Sequence, residues 1–139
     1  MLARLVYKSR AHAKLSMDLR DILASSQKNN PALGLTGALC FLDGVYLQYL
    51  EGEESNLMGL YKRIKSDPRH KDSVVLERSH ITERAFPTWS MALVTWSDET
   101  QSIFREATGL RELDLYATDP IAAAPMFREF AASSNWLVV

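Results

Sequence analysis

Apolar positions divide the first 95 residues into short strands and helices. Residues 2–7 form an apolar run that is typical of a buried strand. The segment that follows has the spacing of one helical face, with apolar residues at Leu15, Leu19, Ile22 and Leu23. Because proline disfavours helical geometry in the residue before it, Pro31 predicts that this helix ends near Asn29 and Asn30.

Two further apolar runs, 38–42 and 45–50, are separated by Asp43-Gly44. This dipeptide between apolar runs is a strong signal for a two-residue hairpin turn. We therefore expect the two runs to be antiparallel neighbours in a sheet.

A second helix is predicted from Ser55, a suitable N-cap residue, to a point before Pro68. Its apolar face consists of Leu57, Leu60, Tyr61 and Ile64. A fourth strand fits residues 74–76, with an extension to residue 81 left open. A fifth fits residues 89–95, with alternating side chains on one side at Trp89, Met91 and Leu93.

The element order βαββαββ predicts an α+β, ferredoxin-like sandwich, because each helix can connect two strands of one sheet. Two helices cover only one face of such a sheet. Residues 98–108 and about 119–135 are predicted to form two further helices that cover the other face. Their apolar residues are Ile103, Phe104, Ile121, Met126, Phe127 and Phe130. We expect a domain at 1–95 and a C-terminal helical cap at 96–139, both in one unit.

Composition and the motifs that are missing argue against nucleic-acid-binding, membrane-spanning and enzymatic functions. The chain has 139 residues, enough for one well-cored domain, and 16 Lys and Arg against 17 Asp and Glu, which gives no basic excess for nucleic acid. Cys40 is the one cysteine and lies in an apolar run, as a buried structural thiol would. The sequence shows no signal peptide, membrane span or common enzyme motif, so we expect a cytoplasmic protein that is not an enzyme.

Polar residues within the apolar strands are the candidates for chemistry. Gln48 stands in the middle of run 45–50, and a buried glutamine needs partners for two donors and an acceptor. From spacing alone, the ordinary interpretation of Gln48 is a structural residue, either on a solvated sheet face or bonded to a neighbouring backbone group. Tyr7 fits an ordinary packing residue, and Trp89 and Met91 fit core positions.

Taken together, these residues resemble the BLUF family of flavin-binding blue-light sensors over nearly all of residues 1–95. The resemblance is carried by short strings that are individually weak but specific in this order and spacing. They lie at residues 5–9, 25–31, 34–39, 48–52, 61–64, 67–70 and 84–91.

The resemblance implies a ferredoxin-like fold that holds a flavin, normally FAD, between its two helices, although FMN or riboflavin is not excluded. Asn30 is then expected to hydrogen-bond the flavin ring, with Asn29 beside it. The resemblance also implies three residues toward the ribityl and phosphate portion or the ring edge, namely Arg63, Asp67 and His70. Ile64 would pack on the flavin.

Tyr7 and Gln48 match the photoactive pair of the family. The resemblance implies that light-driven electron and proton transfer from Tyr7 is followed by rotation or tautomerisation of the Gln48 amide, with a red-shifted flavin spectrum. Trp89 and Met91 match positions at which one side chain approaches Gln48. The change would pass along the fifth strand to the C-terminal helices.

The same resemblance implies an output that acts on a separate effector protein, and a homo-oligomer, with no nucleic acid or membrane as partner. Two other functions stay open. One is a flavin oxidoreductase, and the other is a flavin-free ferredoxin-like module, either an acylphosphatase-like phosphatase or a small-molecule-binding regulator. Flavin content separates the last from the first two.

Overall fold

A computed structural model describes residues 1–11, 15–68, 70–86, 90–133 and 136–138. The strands are β1 Leu2–Ala11, β2 Thr36–Leu42, β3 Val45–Glu53, β4 His70–His80, β5 Ala92–Val94 and β6 Trp136–Val138. The helices are α1 Leu15–Leu33, α2 Glu54–Ser66, α3 Asp98–Thr108 and α4 Pro120–Ala132, with a 3₁₀ turn at Leu115–Ala117.

The strands form one sheet in the order β4-β1-β3-β2-β5-β6. β3 pairs antiparallel with both β1 and β2, whereas β5 pairs parallel with β2. The predicted ferredoxin-like α+β architecture is therefore confirmed, with β1 and β3 each flanked by a strand on both sides. Central strands exchange backbone hydrogen bonds on both sides, so they form a rigid support for any side chain they carry.

The sheet separates two apolar cores, because successive side chains of a strand point to opposite faces. One core lies under α1 and α2 and includes Tyr7, Ile22, Leu39, Leu50 and Leu57. The other lies under α3 and α4 and includes Val6, Leu47, Phe104, Phe127 and Phe130. The expectation that two C-terminal helices cover the second face is confirmed.

The predicted hairpin is present, with Asp43 and Gly44 at φ 50° and 75° between β2 and β3. Positive φ at both turn residues suits the twist of the flanking strands.

The predicted end of α1 is wrong, since the helix continues through Pro31 to Leu33. Gly34, at φ 66°, stops it in a Schellman motif, in which Leu35 N–H donates to Asn30 O at 2.9 Å and Gly34 N–H to Pro31 O at 3.2 Å. Proline costs one hydrogen bond here, and a long helix with a strong glycine cap tolerates that loss near its end.

Other boundaries also need correction. β4 continues past the apolar residues 74–76 to His80, close to the extension that was left open, but it also begins earlier, at His70. An edge strand carries polar residues that hide it from apolar patterning. β5 is shorter than predicted, at three residues, and Met91 precedes it. α2 begins at Glu54 with Glu53 as the N-cap, not at Ser55.

The C-terminal segment differs from the prediction in two ways. α4 ends at Ala132, and the chain then adds β6, a strand that was not predicted, beside β5. Ile121 is 87% exposed and does not join the core, whereas Met126, Phe127 and Phe130 are fully buried. Ile121 therefore points away from the sheet, whereas Ala122 and Ala123 in the same turn are buried. Leu15, Leu19 and Trp89 are predicted core residues whose side chains lie outside the part that the structure describes.

Candidate functional site

A cleft of about 230 Å³ lies between α1 and α2. Its lining comes from β1, β3, both helices and the region leading into β4. The lining residues are Tyr7, Ile22, Ser25, Ser26, Asn29, Asn30, Gln48, Leu60, Arg63, Ile64, Asp67 and His70.

Helical spacing explains why these side chains meet. Ile22, Ser26 and Asn29 lie four and three residues apart along α1, which places them on one face. On α2, Leu60 and Ile64 are four residues apart and therefore also share one face, and Asp67 directly follows that helix. The two faces form opposite walls of the cleft, while the sheet closes its inner end.

The inner end contains the Tyr7 and Gln48 pair, which are opposite each other in the register of β1 and β3. Both side chains are buried, and the Tyr7 hydroxyl donates a hydrogen bond to Gln48 Oε1. Gln48 Nε2 donates in turn to Met91 Sδ at 3.5 Å. Gln48 is therefore buried rather than on a solvated face. Its amide bonds two side chains, those of Tyr7 and Met91, in place of the neighbouring backbone.

Burial keeps Tyr7 protonated. It raises the pKa of Tyr7 above the ordinary value of 10.0, and the nearby Tyr61, Tyr46 and Asp67 raise that pKa further. The cause is that a phenolate loses hydration in an apolar site and is repelled by neighbouring negative charge. The phenol is consequently a neutral donor whose proton points at the Gln48 carbonyl.

Two further polar groups near the inner end have defined partners. Asn30, 1% exposed, donates from Nδ2 to the backbone oxygen of Ser90 at 2.7 Å. His70 is also buried, and its Nδ1 lies 2.7 Å from Ser9 Oγ. The Asn30 contact ties α1 to the chain segment that leads into β5.

Polarity changes from the inner end of the cleft to its rim. Tyr7, Gln48 and Asn30 are buried, whereas Asn29 and Arg63 are exposed. Apolar side chains of Ile22, Leu60 and Ile64 line the walls between them. This arrangement suits a flat ring with hydrogen-bonding edges, and a polar, anionic chain at the mouth.

The structure brings most of the predicted site residues together. Eight of them line the cleft, namely Tyr7, Asn29, Asn30, Gln48, Arg63, Ile64, Asp67 and His70. Met91 is in contact with Gln48, whereas Trp89 lies outside the described residues. Ile22, Ser25, Ser26 and Leu60 also line the cleft and were not predicted to be site residues. Their helical spacing with Asn29 and Ile64 is the signal that could have found them.

Within the ranges that the structure describes, no group of three or more acidic, histidine or cysteine side chains could hold a metal ion. No helix described there is long and apolar enough to cross a membrane.

Comparison with known families gives a match to BLUF, described as sensors of blue-light using FAD, over residues 2–92. Subunit beta of a photoactivated adenylate cyclase from Euglena longa is 36% identical over 96 residues, which is 68% of this chain and 11% of that protein. The chain thus spans about a tenth of the length of such curated relatives.

Solved structures give longer matches. BlsA in its ground state is 28% identical with a TM-score of 0.88, over 97% of this chain and 91% of that one. BlrB, a BLUF protein in its dark state, is 33% identical with a TM-score of 0.77, over 94% of this chain and 96% of that one. Both matches extend beyond the residues of the family match into the C-terminal helices.

Proposed function

The chain belongs to the BLUF family, and we propose that it is a blue-light photoreceptor that holds FAD in the cleft between α1 and α2. The observation that carries this proposal is the buried Tyr7 and Gln48 hydrogen bond at the inner end of that cleft. A tyrosine that donates to a buried amide, beside a cleft of this polarity, has the chemistry that a light-driven switch needs.

The residues present fit a flavin. Gln48 and Asn30 offer amide groups to the polar edge of a ring, and Ile64 offers an apolar surface to its face. Asn29 and His70 complete the polar lining around the ring. Arg63, at the exposed rim, is suited to the phosphates of FAD, and Asp67 to hydroxyl groups of the ribityl chain.

When bound and excited by blue light, the flavin supplies a strong electron acceptor. The chain supplies the rest of the switch. Tyr7 would be the electron donor, and the Gln48 carbonyl, which accepts the hydrogen bond from the Tyr7 hydroxyl, could take its phenolic proton. Both the electron and the proton would return to Tyr7 once the amide has rotated, so no net oxidation remains. Rotation of the Gln48 amide would exchange Oε1 and Nε2, so that Tyr7 would face a donor and Met91 an acceptor. The rotated amide of Gln48 would offer a different set of hydrogen bonds to a bound flavin, and its absorption would shift.

The signal is proposed to leave through Met91, next to β5. Met91 accepts a hydrogen bond from Gln48, and β5 follows it directly along the chain. β5 is short, and it pairs with β2 at two residue positions and with β6 at three. Trp89 is proposed as an alternative neighbour of Gln48 in the other state. Residues 1–95 would then sense light, and residues 96–139 would carry the response as a cap.

The output is proposed to act on a separate effector protein, with the chain assembled as a homo-oligomer. The curated relative from Euglena longa is named for a cyclase activity, and this chain spans only 11% of it. The matches to BlsA and BlrB, in contrast, cover nearly the full length of this chain and of each of those two proteins. Light scattering of the purified protein, in darkness and under blue light, would measure the oligomer; a monomer in both conditions would contradict the assembly.

The test of the photoreceptor function is the visible absorption spectrum in darkness, directly after blue light and after recovery. We expect a flavin spectrum that shifts to the red and returns. Tyr7→Phe and Gln48→Leu should each abolish the reversible shift. Tyr61→Phe is the matched control, because its ring lies 5.4 Å from that of Tyr7 but its hydroxyl bonds Ser73. A reversible red shift in either of the first two variants would contradict the mechanism.

The flavin form needs its own measurement. Chromophore released by denaturing the protein is separated by chromatography against FAD, FMN and riboflavin. FAD is the expected product, and FMN or riboflavin in its place would contradict the assignment of Arg63 to the phosphates of FAD. A colourless protein that does not take up flavin would instead favour the flavin-free module.

A further inference from the structure

Glu51 is a buried carboxylate outside the cleft. It lies on β3, three residues after Gln48, and therefore on the opposite face of the sheet. Its side chain is fully buried. Burying a charge is costly unless hydrogen bonds replace the lost water, so a carboxylate at this place calls for a reason.

The hydrogen bonds of Glu51 attach one chain segment to the sheet. Oε2 accepts from Ala85 N–H at 2.9 Å, and Oε1 accepts from Phe86 N–H at 2.5 Å. Each oxygen of the carboxylate accepts from one of two consecutive N–H groups, whereas an amide in its place would present an NH2 donor to one of them. The Thr36 hydroxyl also donates to Oε1, at 3.4 Å.

Arg84 strengthens the same attachment. Its guanidinium donates to Thr36 Oγ1 at 2.8 Å, to the backbone oxygen of Glu51 at 3.2 Å and to that of Gly34 at 2.7 Å. The start of the connection between β4 and β5 is thus fixed to β2 and β3 by several hydrogen bonds. Phe86 extends it into the cap-side core, with its ring 5.1 Å from that of Tyr49.

The far end of the same connection is held at the cleft. There Ser90 O accepts from Asn30, and Met91 Sδ accepts from Gln48. β3 therefore carries both the amide of the switch and the carboxylate that fixes the connection leading to its partner.

We propose that Glu51 is a positioning residue of the light response, which fixes the start of the β4–β5 connection and thereby holds Met91 against Gln48. The inference rests on the proposed function, since it assigns Glu51 a part in the same switch. A weaker attachment would let the connection leave its dark position more readily. The light-adapted arrangement would then be favoured, and return to darkness would be slower.

The test replaces one acceptor oxygen, in Glu51→Gln, and measures the rate of dark recovery of the flavin spectrum. Loss of one of the two backbone hydrogen bonds should slow recovery about fivefold. Glu53→Gln is the matched control, because Glu53 is an exposed glutamate on the same strand, and its recovery should equal that of the unmodified protein. Recovery of Glu51→Gln within about twofold of the unmodified rate, or faster than it, would overturn the proposal.

A second background separates positioning from a general structural role. In Met91→Ala the contact that Glu51 is proposed to support is absent, so adding Glu51→Gln should leave recovery unchanged. A slowing of equal size with and without Met91 would overturn the proposal. If Glu51→Gln does not fold, Thr36→Val replaces it, with slower recovery expected and an unchanged rate as the contrary result.

Failure of this inference is distinct from failure of the proposed function. If Tyr7→Phe or Gln48→Leu keeps the reversible red shift, the switch itself is wrongly assigned. If both lose the shift while Glu51→Gln recovers at the normal rate, only the role of Glu51 is wrong.

Discussion

Single side chains at the inner end of the cleft act as neutral hydrogen-bonding groups rather than as charges. Tyr7, Gln48 and Asn30 are all buried, and each makes a hydrogen bond to a defined atom. A neutral amide can exchange donor and acceptor by rotation at no cost in charge burial, which an ion pair cannot do. The residue types of the pair therefore suit a reversible switch.

The alkaline stability of the protein should report the protonation of Tyr7. Burial raises the pKa of Tyr7 in the folded state above its unfolded value of 10.0, so above that pH the unfolded chain loses a proton that the folded chain keeps. The contribution of Tyr7 to the free energy of unfolding is constant below about pH 10. Above that pH it falls by about 1.4 kcal/mol per pH unit.

Tyr7→Phe should remove this part of the decline. Urea unfolding of both proteins from about pH 9 to 11 would show the unmodified protein losing stability more steeply. Tyr116→Phe serves as the control, because the Tyr116 hydroxyl bonds the backbone oxygen of Asp72 and is not a group that raises the pKa of Tyr7. Parallel curves for the unmodified protein and Tyr7→Phe would contradict the raised pKa.

Individual elements differ in how far sequence predicts them. The two apolar runs and the Asp43-Gly44 turn between them predict β2 and β3 well, because a turn of this type leaves one register. The end of α1 was missed because the effect of Pro31 depends on the strength of the Gly34 cap after it. β6 was missed because three residues give no readable period.

The candidate site also contains residues that the sequence predicts and residues that it does not. Resemblance to a family identified the cleft residues, since nothing in the pattern around Gln48 distinguishes a buried amide from a solvated one. Helix spacing could have added Ser26 and Leu60. The role of Glu51 could not be predicted, because its partners are backbone groups more than thirty residues away along the chain.

Close contact between β2 and β3 makes Gly37 a sensitive position. A Cβ atom at residue 37 would lie 2.0 Å from the backbone oxygen of Tyr49, and backbone in a central strand cannot move aside. Gly37→Ala should lower the free energy of unfolding by about 2–3 kcal/mol in urea titrations. Gly59→Ala, in α2 with no atom within 4 Å, should instead raise it by about 0.5–1 kcal/mol. Equal effects of the two substitutions would contradict this account.

At the scale of the whole molecule, the sheet separates the cleft proposed to sense light from the C-terminal helices that cover its other face. The cleft opens on the face of α1 and α2, while α3 and α4 lie on the other face, where the ring of Tyr49 lies 5.5 Å from that of Phe127. Any response in the C-terminal helices must therefore cross the sheet. The alternation of β3 provides a direct route, because Gln48 faces one core and Tyr49 the other.

This division predicts that stability and flavin binding respond separately to changes on the cap side. Phe127→Ala removes a fully buried ring and should cost about 3–5 kcal/mol of unfolding free energy, while the folded protein keeps its flavin. Ile121→Ala on the same helix, at a position 87% exposed, should change stability by less than about 0.5 kcal/mol. Denaturant titration and flavin content per protein measure both; loss of flavin in folded Phe127→Ala would contradict the separation.

The one cysteine of the chain gives this protein a built-in reporter. Cys40 is completely buried on the cap side of β2, and burial also raises the pKa of its thiol. A thiol reagent can therefore react only when the C-terminal helices separate from the sheet. The rate at which the reagent labels Cys40, compared between darkness and blue light, would therefore measure how often that opening occurs, without an engineered cysteine.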